Sequence, residues 1–275
     1  MNSAVFPSQP DSAERRGFGV VIPARFASTR LPGKPLRDLY GKPMIVRVLE
    51  NARQTGAEYV IVATDDPRIA EVVTGAGGDV MLTWPGHSSG TDRLAEVAGK
   101  KQLDPASVIV NLQGDEPLLE PGYVRQIVDA LLHHPSAGVA TLATPITTVR
   151  ELLDPSVVKV VTARSGMALY FSRAPIPCLR GQHENRSGEL PTGGPFLRHV
   201  GVYAYRVSTL LDLAKSKPAA IEGAEQLEQL RALWLGIPIH VTTITEVPER
   251  GVDTEEDLAR AVAILEERHG GMSQG

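Results

Sequence analysis

Three cations, Arg25, Arg30 and Lys34, fall within ten residues inside I-P-A-R-F-A-S-T-R-L-P-G-K-P, from Ile22 to Pro35. Arginine offers phosphate oxygens a planar fork of donors and lysine a compact charge, so a triphosphate is well matched by this set. Gly33 permits a close backbone approach. The stretch is no Walker loop, since Pro35 follows Lys34, and it lacks the G-x-G-x-x-G spacing. Taken alone, solvated surface cations account for the run equally well.

A second segment, N-L-Q-G-D-E-P from Asn111 to Pro117, follows the most apolar run of the first half. Asp115 can reach a crevice there, and Mg²⁺ favours one or two carboxylates completed by phosphate oxygens and water. An ordinary turn explains Gly114, Asp115 and Pro117 with equal weight. A third, G-V-D-T-E-E-D-L from Gly251 to Leu258, has two readings. Either Thr254 caps a helix with Asp257 reaching back, leaving the Asp253 carboxylate free as a second metal ligand, or Asp253 is itself the cap. In H-S-S-G-T-D-R-L, from His87 to Leu94, the hydroxyls before a helix either meet a base edge or cap the helix, the commoner use. His199, Gly201, Tyr203 and Tyr205 alternate on one face of a strand, where a lone histidine is usually structural.

These residues need a scaffold that gathers them. Short apolar runs alternate with helical patterns through the first half, which predicts parallel βαβ units. Strands are expected over Phe18–Ile22, Tyr59–Ala63, Val80–Leu82 and Ser107–Leu112, with helices from Pro43, from Asp66-Pro67, over Thr91–Lys100 and over Glu120–His133. The rhythm then changes. Val139–Leu142, Val157–Thr162, Ala168–Phe171 and Val200–Tyr205 read as strands with few helices between them, as in a mixed or antiparallel extension. Gly181–Pro195 reads as a mobile loop. Glu225–Leu235 and Thr254–Glu267 are expected helices flanking a strand near Ile239–Ile244. The fold class is α/β, with one domain over 17–269, a smaller lobe around 140–205 and a disordered extension over 1–16.

The bulk composition is that of an ordinary globular chain of 275 residues, 42% hydrophobic and 22% charged. A formal charge of -4 argues against nucleic-acid and membrane-surface partners, which reward a basic excess. The single cysteine, Cys178, excludes an intrachain disulfide and a cysteine metal site, and fits a reducing, cytoplasmic setting. Arg15-Arg16 precedes only the short V-V-I run ending at Pro23, so export is not expected. No G-x-S-x-G elbow is present, which disfavours a serine hydrolase. Gly75-Ala76-Gly77-Gly78 falls at the end of a helix, which disfavours a dehydrogenase.

In combination the motifs become specific. From about Gly17 to Glu267 the chain resembles the 3-deoxy-manno-octulosonate cytidylyltransferases, or CMP-Kdo synthetases. The matching strings are I-P-A-R-F-A-S-T-R-L-P-G-K-P, G-K-P-M-I, V-A-T-D, H-S-S-G-T-D-R-L, N-L-Q-G-D-E-P, A-L-Y-F-S-R-A-P-I-P, H-V-G-V-Y-A-Y-R, L-E-Q-L-R and G-V-D-T-E-E-D-L, in that order. The resemblance implies a nucleotide-diphospho-sugar transferase (Rossmann-like) fold, a homodimer, and transfer of CMP from CTP to Kdo for lipopolysaccharide synthesis. It also implies residue roles. Arg25 and Lys34 contact the triphosphate, Ser89 lies near the cytosine, and Asp115 and Asp253 hold Mg²⁺. Gln113, Arg173, His199, Tyr203, Glu228 and Gln229 surround the sugar acid. Ala219-Ala220-Ile221 departs from the family's S-P-L, which is expected to leave the approach to Glu228 less rigid.

Overall fold

The computed structural model describes residues 17–27, 30–87, 89–178, 190, 194–246 and 248–270. Residues 1–16 and most of the Gly181–Pro195 stretch therefore lie outside the described residues.

The first strand, β1 (Phe18–Ala24), is buried along its whole length. Phe18, Val20 and Ile22 face one apolar layer and Val21 the other, the pattern of a central strand covered on both faces. Helix α1 (Met44–Arg53) follows, then β2 (Tyr59–Thr64) and α2 (Pro67–Gly75). Asp66 caps α2 by accepting from the Arg68 N–H, with Pro67 in the first turn. Next come β3 (Asp79–Leu82), α3 (Gly90–Lys100), β4 (Val108–Asn111) and α4 (Pro121–His133). Strands β1 to β4 pair in parallel in the order β3-β2-β1-β4. The chain winds outward from β1 on one side and returns to it through β4. The switch point, where open α/β sheets bind ligands, is thus between the carboxyl ends of β1 and β4.

The second half extends the same sheet. Strand β5 (Val139–Pro145) leads through the short α5 (Val149–Leu153) to the hairpin β6 (Lys159–Thr162) and β7 (Ala168–Ser172), and then to β8 (Leu197–Arg206). β8 runs antiparallel to both β4 and β5, and β9 (Ile239–Thr243) closes the edge parallel to β5. The expected mixed extension is present. Two helical readings need correction. Val207–Lys215 forms α6, which the strand-rich rhythm did not announce. The helix expected over Glu225–Leu235 starts only at Gln229, as α8 (Gln229–Trp234), and a separate α7 (Ala220–Glu225) precedes it, ended by Gln226 in a left-handed conformation, φ 54°.

Helices α1, α2 and α4 pack on one face of the sheet and α3, α6 and α8 on the other. The last helix, α9 (Glu255–Gly270), does neither. Its Leu258, Ala261 and Leu265 join Leu31, Leu39, Met44 and Leu118 in a separate apolar cluster. That cluster carries the C-terminal segment back to the loop after β1, and this return assembles the site.

Candidate active site

Arg25 is the first residue beyond β1, and Lys34 opens a single 3₁₀ turn, Lys34–Leu36, set by Gly33 at φ 66°. A β-carbon on Gly33 would also press on the Phe26 ring at 3.2 Å, so glycine is required twice over. The facing loop leaves β4 through Gln113 and Gly114. A β-carbon on Gly114 would lie 2.9 Å from the Pro23 carbonyl oxygen, so the two loops approach to a distance only glycine allows.

The Asp253 alternatives are now decided. Thr254 Oγ1 accepts from the Asp257 N–H, and Asp257 Oδ2 accepts in return from the N–H groups of Asp253 and Thr254. The capping box is closed without Asp253, whose carboxylate is left to turn inward. The Val252 N–H donates to the Asp115 carbonyl at 2.8 Å and so fixes the two loops together. The Lys34 ammonium then donates to Asp115 Oδ2 at 2.7 Å and to Asp253 Oδ1 at 2.8 Å, while Arg30 pairs with Asp253 Oδ2 at 3.0 Å. Burial pulls the Lys34 pKa down, but the two carboxylates outweigh it and hold the ammonium above its ordinary value. Glu116, next to Asp115, is pushed up to about 8 by burial and by the Asp115 and Asp253 carboxylates. The apolar strings gave no warning of that third acid, although it lies within N-L-Q-G-D-E-P.

A crevice of 830 Å³ opens over this cluster, and Arg25, Lys34, Ser89, Gln113, Asp115, Glu228 and Asp253 all line it. Seven of the eleven residues singled out in the sequence thus meet in one place. Ser89 also caps α3: its Oγ accepts from the Asp92 N–H and Asp92 accepts from the Ser89 N–H. The commoner of its two readings is therefore present, at the crevice wall. Glu228 accepts from Thr91 Oγ1 at 2.9 Å, and burial holds its carboxyl above the usual range. The sequence reading passed over Thr91.

The rest of the predicted set divides. His199 lines an adjoining cavity of 430 Å³ that shares Arg30, Asp115 and Asp253 with the crevice. Its Nε2 meets Thr141 Oγ1 at 3.0 Å, and burial pulls it down to about 3, so the ring is neutral. The Tyr203 ring lies tilted between those of His199 and Tyr205, on the strand face that alternation predicted. Burial, and the Tyr205 and Glu228 side chains, raise its hydroxyl well above the ordinary value. Arg173, just beyond β7, spends its guanidinium on the carbonyls of Glu225 and Pro155 and lines neither cavity. Gln229 begins α8 and is not part of either lining.

At the approach to Glu228, the Ala219 N–H donates to Glu222, and the buried Arg231 guanidinium donates to both Glu222 oxygens. This pair ties α7 to α8 across the segment that carries Glu228.

A cation-bearing loop facing two carboxylates at a switch point is the chemistry of a nucleotidyltransferase, in which phosphate charge must be held and neutralised. The cytidylyltransferase family profile matches residues 20–241. The 3-deoxy-manno-octulosonate cytidylyltransferase of Pseudomonas syringae pv. tomato is 51% identical over 249 residues, 90% of this chain and 98% of that protein. That of Hahella chejuensis is 50% identical over 248 residues, 90% of this chain and 97% of its own. A solved structure of CMP:2-keto-3-deoxy-manno-octonic acid synthetase complexed with CTP superposes with a TM-score of 0.82 at 42% identity, covering 92% of this chain and 99% of the other. The chain belongs to the 3-deoxy-manno-octulosonate cytidylyltransferase family. Among the described residues no helix is long and apolar enough to cross a membrane.

Proposed function

We infer that the protein activates Kdo by transferring CMP from CTP, releasing pyrophosphate and forming the CMP-Kdo used in lipopolysaccharide synthesis. The observation that carries this reading is the convergence of Asp115 and Asp253 on Lys34 inside a crevice walled by Arg25 and Ser89. The anomeric hydroxyl oxygen of the sugar acid attacks the α-phosphorus of CTP in line. The bond from that phosphorus to the bridging oxygen breaks, pyrophosphate leaves, and the hydroxyl proton passes to water. Arg25 and Lys34 hold the triphosphate and stabilise the departing pyrophosphate, with Ser89 at the base. Gln113 and Glu228 line the sugar end, His199 lines the adjoining cavity, and Tyr203, in neither lining, stands behind His199.

The donor set fits Mg²⁺. Two carboxylates stand together, and among the described residues no group of three or more His, Cys, Asp and Glu side chains makes a closed cage. An ion held by Asp115 and Asp253 and completed by phosphate oxygens and water suits that set. Held by Asp115 and Asp253, such an ion would supply a lowered pKa for a ligated hydroxyl and a counter-charge for the phosphoryl oxygens. Lys34 occupies the gap between the carboxylates until a nucleotide arrives, then turns its ammonium to phosphate. In this reading the protein is cytoplasmic and homodimeric, with the lobe around 140–205 serving dimerisation and sugar binding. The outward Leu169 of β7, 60% exposed, and Trp234 of the adjacent α8, 62% exposed, support a partner at that face.

The test is pyrophosphate release with CTP, Mg²⁺ and Kdo. Turnover that requires all three is expected, with sialic acid a poor substitute. No release with Kdo, or equal release with sialic acid, would overturn the assignment.

A further inference from the structure

Behind the nucleotide end of the crevice lies a buried polar cluster that the reaction above leaves unused. Arg93, one turn into α3 beyond the Ser89 cap, has 0% relative exposure. A guanidinium withdrawn from water is costly unless its five N–H groups find acceptors. Here they do not. Nη1 donates to Thr83 Oγ1, and Nη2 stands 3.4 Å from Asp65 Oδ1, too far for a good hydrogen bond.

Among the described residues, seven buried side-chain nitrogen or oxygen atoms lack a hydrogen-bond partner, and four belong to this one spot: Arg93 Nε and Nη2, Asp65 Oδ1 and Arg25 Nη2, with a fifth, Asn111 Oδ1, on the strand end beside Gly90. Arg25 follows β1, Asp65 follows β2 and Asn111 ends β4, so the cluster sits under the carboxyl ends of the strands that form the crevice. Arg25, Ser89 and Gly90 form the wall in front of it.

A purely structural arginine looks different in the same molecule. Arg231, at 9% exposure a little less buried, has an acceptor for each nitrogen: Nε and Nη2 donate to Glu222 and Nη1 to the Leu213 carbonyl. Native interiors rarely leave such groups orphaned, and a concentration of them marks a place organised around something other than stability. Burial lowers the Arg93 pKa, Asp65 raises it, and Arg25 lowers it again, so the two guanidinium groups stand close and oppose each other.

We propose that Arg93 is a positioning residue for nucleotide capture. With Thr83 and Asp65 it holds the Ser89–Gly90 end of α3 against β2 and β3, and it sets the Arg25 guanidinium for an incoming nucleotide phosphate. Arg25 lines the crevice while its Nη2 is buried and without an acceptor, so a phosphate oxygen would supply the partner this guanidinium lacks. Arg93 itself never touches the nucleotide.

This rests on the crevice being the CTP site, so the experiment reads CTP binding and turnover separately. Arg93→Met and Arg93→Lys are compared with the wild-type protein. Calorimetry gives CTP affinity, pyrophosphate release gives KM for CTP and for Kdo, and a melting curve reports the fold. Arg93→Met is expected to raise both Kd and KM for CTP about tenfold while KM for Kdo stays within about twofold, and Arg93→Lys to recover part of the loss. Should Arg93→Met fail to fold, Thr83→Val removes one acceptor and carries the same test, with a rise of about threefold expected. Folded variants with unchanged CTP affinity, or equal rises in both KM values, would overturn the inference while leaving the cytidylyltransferase reading standing. A wild-type protein that binds no CTP would sink both.

Discussion

Asp115, in the loop after β4, and Asp253, just before α9, accept hydrogen bonds from the same Lys34 ammonium, at 2.7 and 2.8 Å. The contact exists because α9 packs its Leu258, Ala261 and Leu265 against Leu31 and Met44 rather than against the sheet. Lys34 thus stands where the proposed function puts a divalent ion, and under that proposal the ammonium and the ion would compete for the same two carboxylates.

Competition gives the first prediction. Lys34→Met should cut turnover by about 100-fold or more, since a preorganised cation on the triphosphate is lost. Its melting temperature should nevertheless rise more steeply with added Mg²⁺ than that of the wild-type protein, because the carboxylates no longer have an ammonium to displace. Thermal melts across an Mg²⁺ titration, without nucleotide, decide it.

The second concerns the contact between the two loops. In Gly114→Ala the new β-carbon would stand 2.9 Å from the Pro23 carbonyl oxygen. Neither loop can yield without moving Asp115 away from Lys34. A stability loss of about 1–3 kcal/mol is expected from the overpacking, with a larger fractional loss of turnover. Denaturant unfolding and initial rates on the same preparation measure both.

The pH dependence follows from His199, which burial holds at about 3. Its folded pKa lies below the unfolded value, so between these two the unfolded chain binds more protons. The neutral ring's stabilisation is complete above the unfolded pKa and is lost as pH falls toward 3. For a shift of this size His199 contributes about 2 kcal/mol of acid sensitivity at pH 5. His199→Gln should flatten the decline in stability between pH 7.5 and pH 5 by up to that amount. Urea unfolding at the two pH values tests the difference, which cancels the loss of the Thr141 contact common to both.

How much was legible in the sequence depends on range. The β1 to β4 layer was readable because each element carries its own signal: Asp66-Pro67 opens α2, Ser89 with Asp92 caps α3, and the near-continuous apolar run around Val108–Val110 is buried on both faces. Asp115 and Asp253 were nominated by local chemistry, Asp115 in balance with a turn and Asp253 with a cap, and the Thr254–Asp257 box decides only the second of these. The break at Gln226 was missed because nothing local marks a non-glycine residue at positive φ. Arg93, Glu116 and Thr91 were missed for another reason. Their environments are made of residues distant in sequence, and burial is not written in the spacing of a charged side chain.

The fourth prediction bears on the segment holding Glu228. Arg231→Leu leaves the Glu222 carboxylate buried and unpaired, and should cost about 3–5 kcal/mol. Glu222→Gln with Arg231→Leu should recover part of that loss. If the pair also fixes Glu228, KM for Kdo rises in the single variant at temperatures where it remains folded, and KM for CTP does not. Steady-state kinetics with each substrate varied in turn separates the two.

The most direct test of the central claim uses Mn²⁺ in place of Mg²⁺, read by electron paramagnetic resonance with saturating CTP. A single tight Mn²⁺ site is expected in the wild-type protein, weakened about tenfold or more by either Asp115→Asn or Asp253→Asn, with metal-free CTP affinity little changed. Mn²⁺ affinity that survives either substitution intact would contradict the claim that the two carboxylates share one ion beside the triphosphate.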